Sequence, residues 1–210
     1  TINGIDLFIK KNISNDDFFL NIYGDKILIQ NEIQKYKIPS HLFKIIHTDS
    51  VVSDKETPLT AIKNSKDTSM WNSIKSQTDG TSDISLSAGN TGVLLVISRM
   101  ILKMMDDVSK PALAGLWPNK LGTNIVLDLG ANIECTEQNL IDFAELGSAL
   151  YKSLFPEDKA NVSLLNVGSE EIKGTELLKN TSKKLAELSN ENNFIFKGYI
   201  EGNEIMSCLL

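Results

Sequence analysis

Three stretches of this chain set glycine beside polar side chains directly after an apolar run. They are Ser87-Ala88-Gly89-Asn90-Thr91-Gly92, Asp128-Leu129-Gly130-Ala131-Asn132, and Asn166-Val167-Gly168-Ser169-Glu170-Glu171-Ile172-Lys173-Gly174. Glycine lets a backbone turn tightly and approach a ligand, and the N–H groups at a helix start face an anion. The first stretch, running into an apolar helix, therefore has the makings of a phosphate site. It has neither the Gly-Lys-Ser/Thr ending of a Walker loop nor the GxGxxG spacing of dinucleotide folds, and a strand–Gly–helix turn capped by Ser and Asn is also what plain structure requires. In the second stretch Asp128 needs partners, most simply loop N–H groups, while the Asn132 amide can donate to a substrate oxyanion. In the third, Lys173 can meet an anion at the sheet edge, and the acidic residues complement a helix dipole; a solvated helix start is the plainer alternative. Cys135 has no His nearby in sequence to activate it and reads as a small buried residue. His41 and His47 form no triad or metal spacing and read as surface residues.

Short apolar runs flanked by turn residues predict strands at Phe18–Tyr23, Phe43–His47, Ile84–Ser87, Ala112–Leu116, Ile125–Leu129, Val162–Val167 and Phe194–Tyr199. Helical periodicity falls at the first eleven residues and at Asp25–Tyr36, Thr68–Gln77, Val93–Met105, Gln138–Phe155 and Glu171–Leu188. Thr48–Pro58 and Ser76–Asp83 are polar enough to be surface loops. Alternating strands and helices, with strands apolar almost throughout, predict the α/β class and a largely parallel sheet covered by helices on both faces. In such sheets ligands bind beyond the carboxyl ends of the strands, so the three glycine-bearing loops are expected to converge on one cleft for an anionic, phosphate-bearing small molecule. With 21 Lys plus Arg against 27 Asp plus Glu and a net charge of −6, the chain is a poor general binder of nucleic acid. The apolar run Val93–Met105 is interrupted by Arg99 and Lys103 and falls short of the ~20 residues a membrane span needs. The two cysteines, Cys135 and Cys208, form no metal-ligand spacing, which suits a reducing cytoplasm. A helix without a preceding strand at one end and no helix-stop signal at the other suggest a piece of a longer protein: a single α/β domain over residues 1–210, incomplete at both termini.

Taken together, Ser87–Gly92, the stretch Val126-Leu127-Asp128-Leu129-Gly130-Ala131-Asn132-Ile133-Glu134-Cys135 and the stretch Leu164–Gly174 resemble three signatures of the bacterial phosphate acyltransferase of phospholipid synthesis, the PlsX family. Lys110-Pro111-Ala112-Leu113 and Gly198-Tyr199-Ile200-Glu201-Gly202 support the match in order and spacing. Leu146 stands where Met is usual before Gly147, and Ser169 replaces an acidic residue. The family's Asp-x-Met-Gly-Gly-Asp and Asp-Gly-Phe-Thr-Gly-Asn loops are not in this chain. The resemblance implies a Rossmann-like three-layer α/β/α sandwich related to phosphotransacetylases and isopropylmalate dehydrogenases. It further implies transfer of a fatty acyl group from acyl carrier protein to inorganic phosphate, and a cytoplasmic homodimer loosely associated with the membrane. The acyl phosphate would then serve a membrane glycerol-phosphate acyltransferase.

Phosphate attacking a thioester calls for no metal, cofactor or covalent enzyme intermediate, because a thiolate leaves readily and the protein has mainly to position phosphate and stabilise the oxyanion. On that chemistry Asn90, Thr91 and Gly92 are expected as phosphate or oxyanion donors, Lys173 as the counter-charge, and Asn132 and Asn166 as orienting amides. Glu170 and Glu171 hold Lys173 or loop amides rather than act as bases. Ser87, Gly89, Asp128, Gly130, Gly168 and Gly174 complete the cradle. Lys103, Lys110 and Lys120 are candidates for docking an acidic carrier protein. The competing readings are a phosphotransacetylase-like enzyme using acyl-coenzyme A and an inactive truncated remnant.

Overall fold

The structure, a computed structural model, describes residues 1–11, 18–53, 55–170, 173–189 and 194–207. It divides into two compact units, Thr1–Lys103 and Met104–Leu210.

In the first unit, Asp25 caps a helix by accepting the Leu28 N–H at 2.8 Å. That helix, α2 (Lys26–Tyr36), follows α1 (Ile2–Lys11) and β1 (Leu20–Gly24) and leads to β2 (Phe43–His47). The strands β1 and β2 pair in parallel, from Leu20 opposite Phe43 to Gly24 opposite His47, with α2 as the crossover that parallel pairing demands. Ile22, Ile33 and Ile38 are buried there, packed against Ile2, Ile5 and Ile9 of α1. A second cluster, Met70, Ile74, Val93 and Ile97, joins α4 (Ser69–Thr78) to α5 (Thr91–Leu102), and α3 (Pro58–Asn64) also packs on α5.

In the second unit, β3 (Gly115–Pro118) and β4 (Thr123–Val126) form an antiparallel hairpin. Its turn is closed by Asn119 Oδ1, which accepts the N–H groups of Leu121 and Gly122, both at 2.7 Å. After α6 (Glu137–Leu154), β5 (Ala160–Leu165) and β6 (Phe194–Ile200) pair in parallel across the crossover helix α7 (Glu176–Leu188). Their core is Ile141, Ala144, Ala160, Leu164, Leu185 and Phe194.

The α/β class and both parallel pairs match the expectation, and four departures have local causes. Ile84–Ser87 forms no strand: Ile84 and Leu86 are 76% and 85% exposed, and Ser85 instead bonds to Ser73 and Gln77 of α4. The run placed at Ala112–Leu116 enters a strand only at Gly115 and turns back as a hairpin rather than joining a parallel sheet. The helix expected from Glu171 starts at Glu176, because Thr175 supplies the cap by accepting the Leu178 N–H. Pro58–Asn64, read partly as loop, is helical with Pro at its first position, where its missing N–H costs nothing. Among the described residues no helix is long and apolar enough to cross a membrane.

Candidate functional site

In the first unit, Ser87–Gly92 leads into α5, and Asn90 is that helix's N-cap. Its Oδ1 accepts the Val93 N–H at 3.1 Å and its Nδ2 donates to the Glu56 carbonyl at 3.0 Å. The amide thus ties the Glu56 backbone to the helix start. Ser87 Oγ accepts the Gly89 N–H at 3.2 Å, closing the turn. A Cβ on Gly92 would lie 3.3 Å from the Pro58 ring, so the loop and the start of α3 are closely packed there, and one on Gly89 would lie 3.0 Å from the terminal methyl of Met70, a flexible side-chain end that can shift. The N–H groups of Thr91 and Gly92 head the helix, where the ladder offers them no acceptor. Glu56 and Pro58 escaped the sequence reading; the Thr57-Pro58 pair, a helix-start signal, could have found them.

In the second unit, the loop after β4 is built around Asp128. Its Oδ1 accepts from Leu113 N at 2.9 Å and Ala131 N at 3.1 Å, and its Oδ2 from the backbone N and the Nδ2 of Asn132, both at 2.8 Å. Burial pushes this carboxyl up, but the bond from Leu113, that from the Asn132 amide and those from the Ala131 and Asn132 N–H groups outweigh it and hold the carboxyl below its ordinary range. Asn132 Nδ2 also donates to the Pro111 carbonyl at 2.8 Å, so both of its amide hydrogens are spent inside the protein. As observed, Asn132 holds the loop rather than offering donors to an oxyanion. Lys110 Nζ donates to the Glu134 carbonyl at 2.7 Å and Ser109 Oγ accepts from Asn139 at 2.7 Å. The Ser109–Leu113 segment is therefore the platform on which the loop is fastened, and Lys110 is engaged there. Gly130, at φ +89°, makes the turn that a side chain would strain. Cys135 is half-buried just ahead of α6.

The loop after β5 starts at Asn166, which is buried. Its Nδ2 donates to the Lys173 carbonyl at 3.1 Å and its Oδ1 accepts the Val167 N–H at 2.9 Å. The amide packs onto Gly174, where φ is +92° and a Cβ would fall 2.5 Å from Asn166 Oδ1. Lys173 Nζ lies 2.8 Å from Glu170 Oε2. That hydrogen bond and the Glu170 charge raise the Lys173 ammonium above its ordinary value, with Glu201 adding to it, and the same bond lowers the Glu170 carboxyl. Glu201, at the end of β6, also accepts the Ser169 N–H at 3.3 Å. Sequence reading placed Glu201 only within a matching stretch; its position one residue beyond a parallel neighbour of β5 was the available signal. Glu171 lies outside the described residues.

Among the described residues no hydrogen bond joins the loop after β4 to the loop after β5. Leu127 and Leu165, which immediately precede them, do line one cavity of about 190 Å³ with Phe143, Gly147 and Tyr151 of α6. The roots of the two loops are thus side by side. Lys103 and the Ser87–Gly92 loop belong to the first unit, and Lys120 to the hairpin turn of the second. His47 bonds through Nδ1 to the Lys26 N–H and through Nε2 to Asp49, a local role at the end of β2.

Comparison with known proteins adds sequence and fold relatives. The family model described as "Fatty acid synthesis protein" matches residues 2–209. A protein of Pelagibacter ubique named phosphate acyltransferase is 52% identical over 206 residues, covering 98% of this chain and 60% of the relative. Proteins of the same name from Azorhizobium caulinodans and Parvibaculum lavamentivorans are 39% and 37% identical, covering 91% and 97% of this chain and 54% and 55% of their own lengths. The chain therefore spans about half to three-fifths of the length of these relatives. In three dimensions it is similar to the EutD phosphotransacetylase from Staphylococcus aureus, at a TM-score of 0.65 and 16% identity over 91% of this chain and 63% of that one, which shows a shared fold. A family match over nearly every residue, on top of the three glycine-bearing loops, establishes that the chain belongs to the fatty acid synthesis protein family, the PlsX family that those loops resemble.

Proposed function

We propose that the protein carrying this chain transfers a fatty acyl group from acyl carrier protein to inorganic phosphate, yielding an acyl phosphate for phospholipid synthesis. The observation that carries this reading is the 52% identity over 206 residues to a relative named phosphate acyltransferase, which takes in all three loops. A phosphate oxygen attacks the thioester carbonyl; the new C–O bond forms, the C–S bond breaks and the carrier thiolate leaves to take up a proton. The protein's share is to hold phosphate against the carbonyl and to neutralise developing charge. In this reading Lys173 meets the phosphate, the Thr91 and Gly92 N–H groups serve as anion donors, and Asn90, Asp128, Asn132 and Asn166 keep the loops in shape. The enzyme works as a homodimer at the membrane surface and hands its product to a membrane glycerol-phosphate acyltransferase.

Thioester consumption by the whole protein tests the reading. Long-chain acyl carrier protein with phosphate is consumed, while acyl-coenzyme A at equal concentration is the poorer donor; the reverse preference points to phosphotransacetylase-like chemistry. Cys135→Ala keeps full turnover, whereas a trapped acyl-cysteine would overturn direct attack. Lys173→Ala weakens phosphate use by about tenfold or more, the scale of one charge-assisted bond.

A further inference from the structure

We infer that Glu170 is a built-in competitor for the anion site, occupying the ammonium of Lys173 until phosphate displaces it and thereby setting how tightly phosphate is held. The inference deepens the phosphate-binding role given to Lys173 above and rests on it. Lys173 and Glu170 are joined at 2.8 Å just beyond the end of β5, where an open α/β sheet binds its ligands. Both side chains are partly exposed, so the pair is accessible to a solute anion.

A second feature shows that the loop is shaped around this pair. Gly168 is buried, and a Cβ there would lie 2.8 Å from Glu170 Oε2 and 2.9 Å from Lys173 Nζ. The ion pair therefore lies folded over a backbone from which the side chain is missing. Glu201 adds a second carboxylate beside Lys173 and fixes the loop through the Ser169 N–H. A phosphate dianion arriving at Lys173 meets an ammonium already satisfied and a carboxylate that repels it. Binding then requires the Glu170 side chain to swing into solvent, at a cost small enough for an exposed pair to be reversible. Glu170 is in this sense a residue that tunes affinity, while Lys173 makes the contact.

The test is the phosphate dependence of the whole enzyme, read as KM for phosphate and as direct phosphate binding by calorimetry. Glu170→Gln removes the competitor and its charge and lowers both KM and Kd about three- to tenfold. Lys173→Ala raises them, and adding Glu170→Gln to Lys173→Ala brings no recovery, because no ammonium is left to release. If Lys173→Ala leaves phosphate affinity unchanged, the phosphate reading of the loop and this inference fall together. If Lys173→Ala weakens binding while Glu170→Gln leaves it unchanged or weakens it, Lys173 contacts phosphate but Glu170 is a support, and the inference alone is overturned.

Discussion

Asp128 shows how much of the candidate site is held by single side chains. Its carboxylate accepts four hydrogen bonds, of which Asn at that position could accept only part, and the amide would set a donor against the N–H groups around it. Asp128→Asn is expected to lower the unfolding free energy by about 1–3 kcal/mol at neutral pH, measured by denaturant titration. The pH dependence follows from the direction of the shift. Because the folded carboxyl is held below its unfolded value of about 3.9, its contribution is fully present above that value and is lost as pH falls through the lower folded value. The stability gap between wild type and Asp128→Asn should therefore close as pH drops below about 4; a gap constant with pH would show that the charge is not what matters. Gly174→Ala is the corresponding backbone test. At φ +92°, with Asn166 Oδ1 2.5 Å from the added Cβ, it is expected to cost more than about 1 kcal/mol and to disturb the position of Lys173.

Helix caps connect these loops to the elements that carry them. Thr136 and Asn139 form a reciprocal capping box at the start of α6, and Asn139 also bonds to Ser109 on the loop's platform. Thr136→Ala should lower stability by about 1 kcal/mol in thermal or denaturant unfolding, and an unchanged midpoint would show the box to be idle. Asn90 does two jobs that can be separated. Asn90→Asp keeps the cap on Val93 but gives up the donation to the Glu56 carbonyl, whereas Asn90→Ala gives up both; the alanine variant should be the less stable by about 0.5–2 kcal/mol. The elements that sequence reading found are those with strong local signals: Asp25 before α2, Thr68 before α4, and the apolar runs of β2, β5 and β6. Those it misplaced depended on partners it could not see. Asp83-Ile84-Ser85-Leu86-Ser87 alternates like a strand, but among the described residues no strand pairs with it, and a strand without a ladder is not stable. The β3–β4 hairpin was hidden because the Asn119–Gly122 turn, not the apolar pattern, sets its direction. At the site, the Asp128 ties and the Glu170–Lys173 pair were legible as residue chemistry. That Asn132 spends both amide hydrogens internally was not, since Pro111 lies on a segment brought beside it only by folding.

At the scale of the whole molecule, membership in the fatty acid synthesis protein family and the α/β fold shared with a phosphotransacetylase set the frame in which these loops act. Each unit has its own core and contributes its own glycine-bearing loop or loops. Whether inorganic phosphate is the acyl acceptor is decided by following the label. The whole protein is incubated with long-chain acyl carrier protein and radiolabelled phosphate, and the product is separated before and after treatment with hydroxylamine. The expected product is a labelled acyl phosphate that forms faster as phosphate rises, forms more slowly by about tenfold or more in Lys173→Ala, and is converted by hydroxylamine to acyl hydroxamate with release of labelled phosphate. Thioester loss at the same rate with and without phosphate, giving free fatty acid and no labelled product, would contradict phosphate as the acceptor.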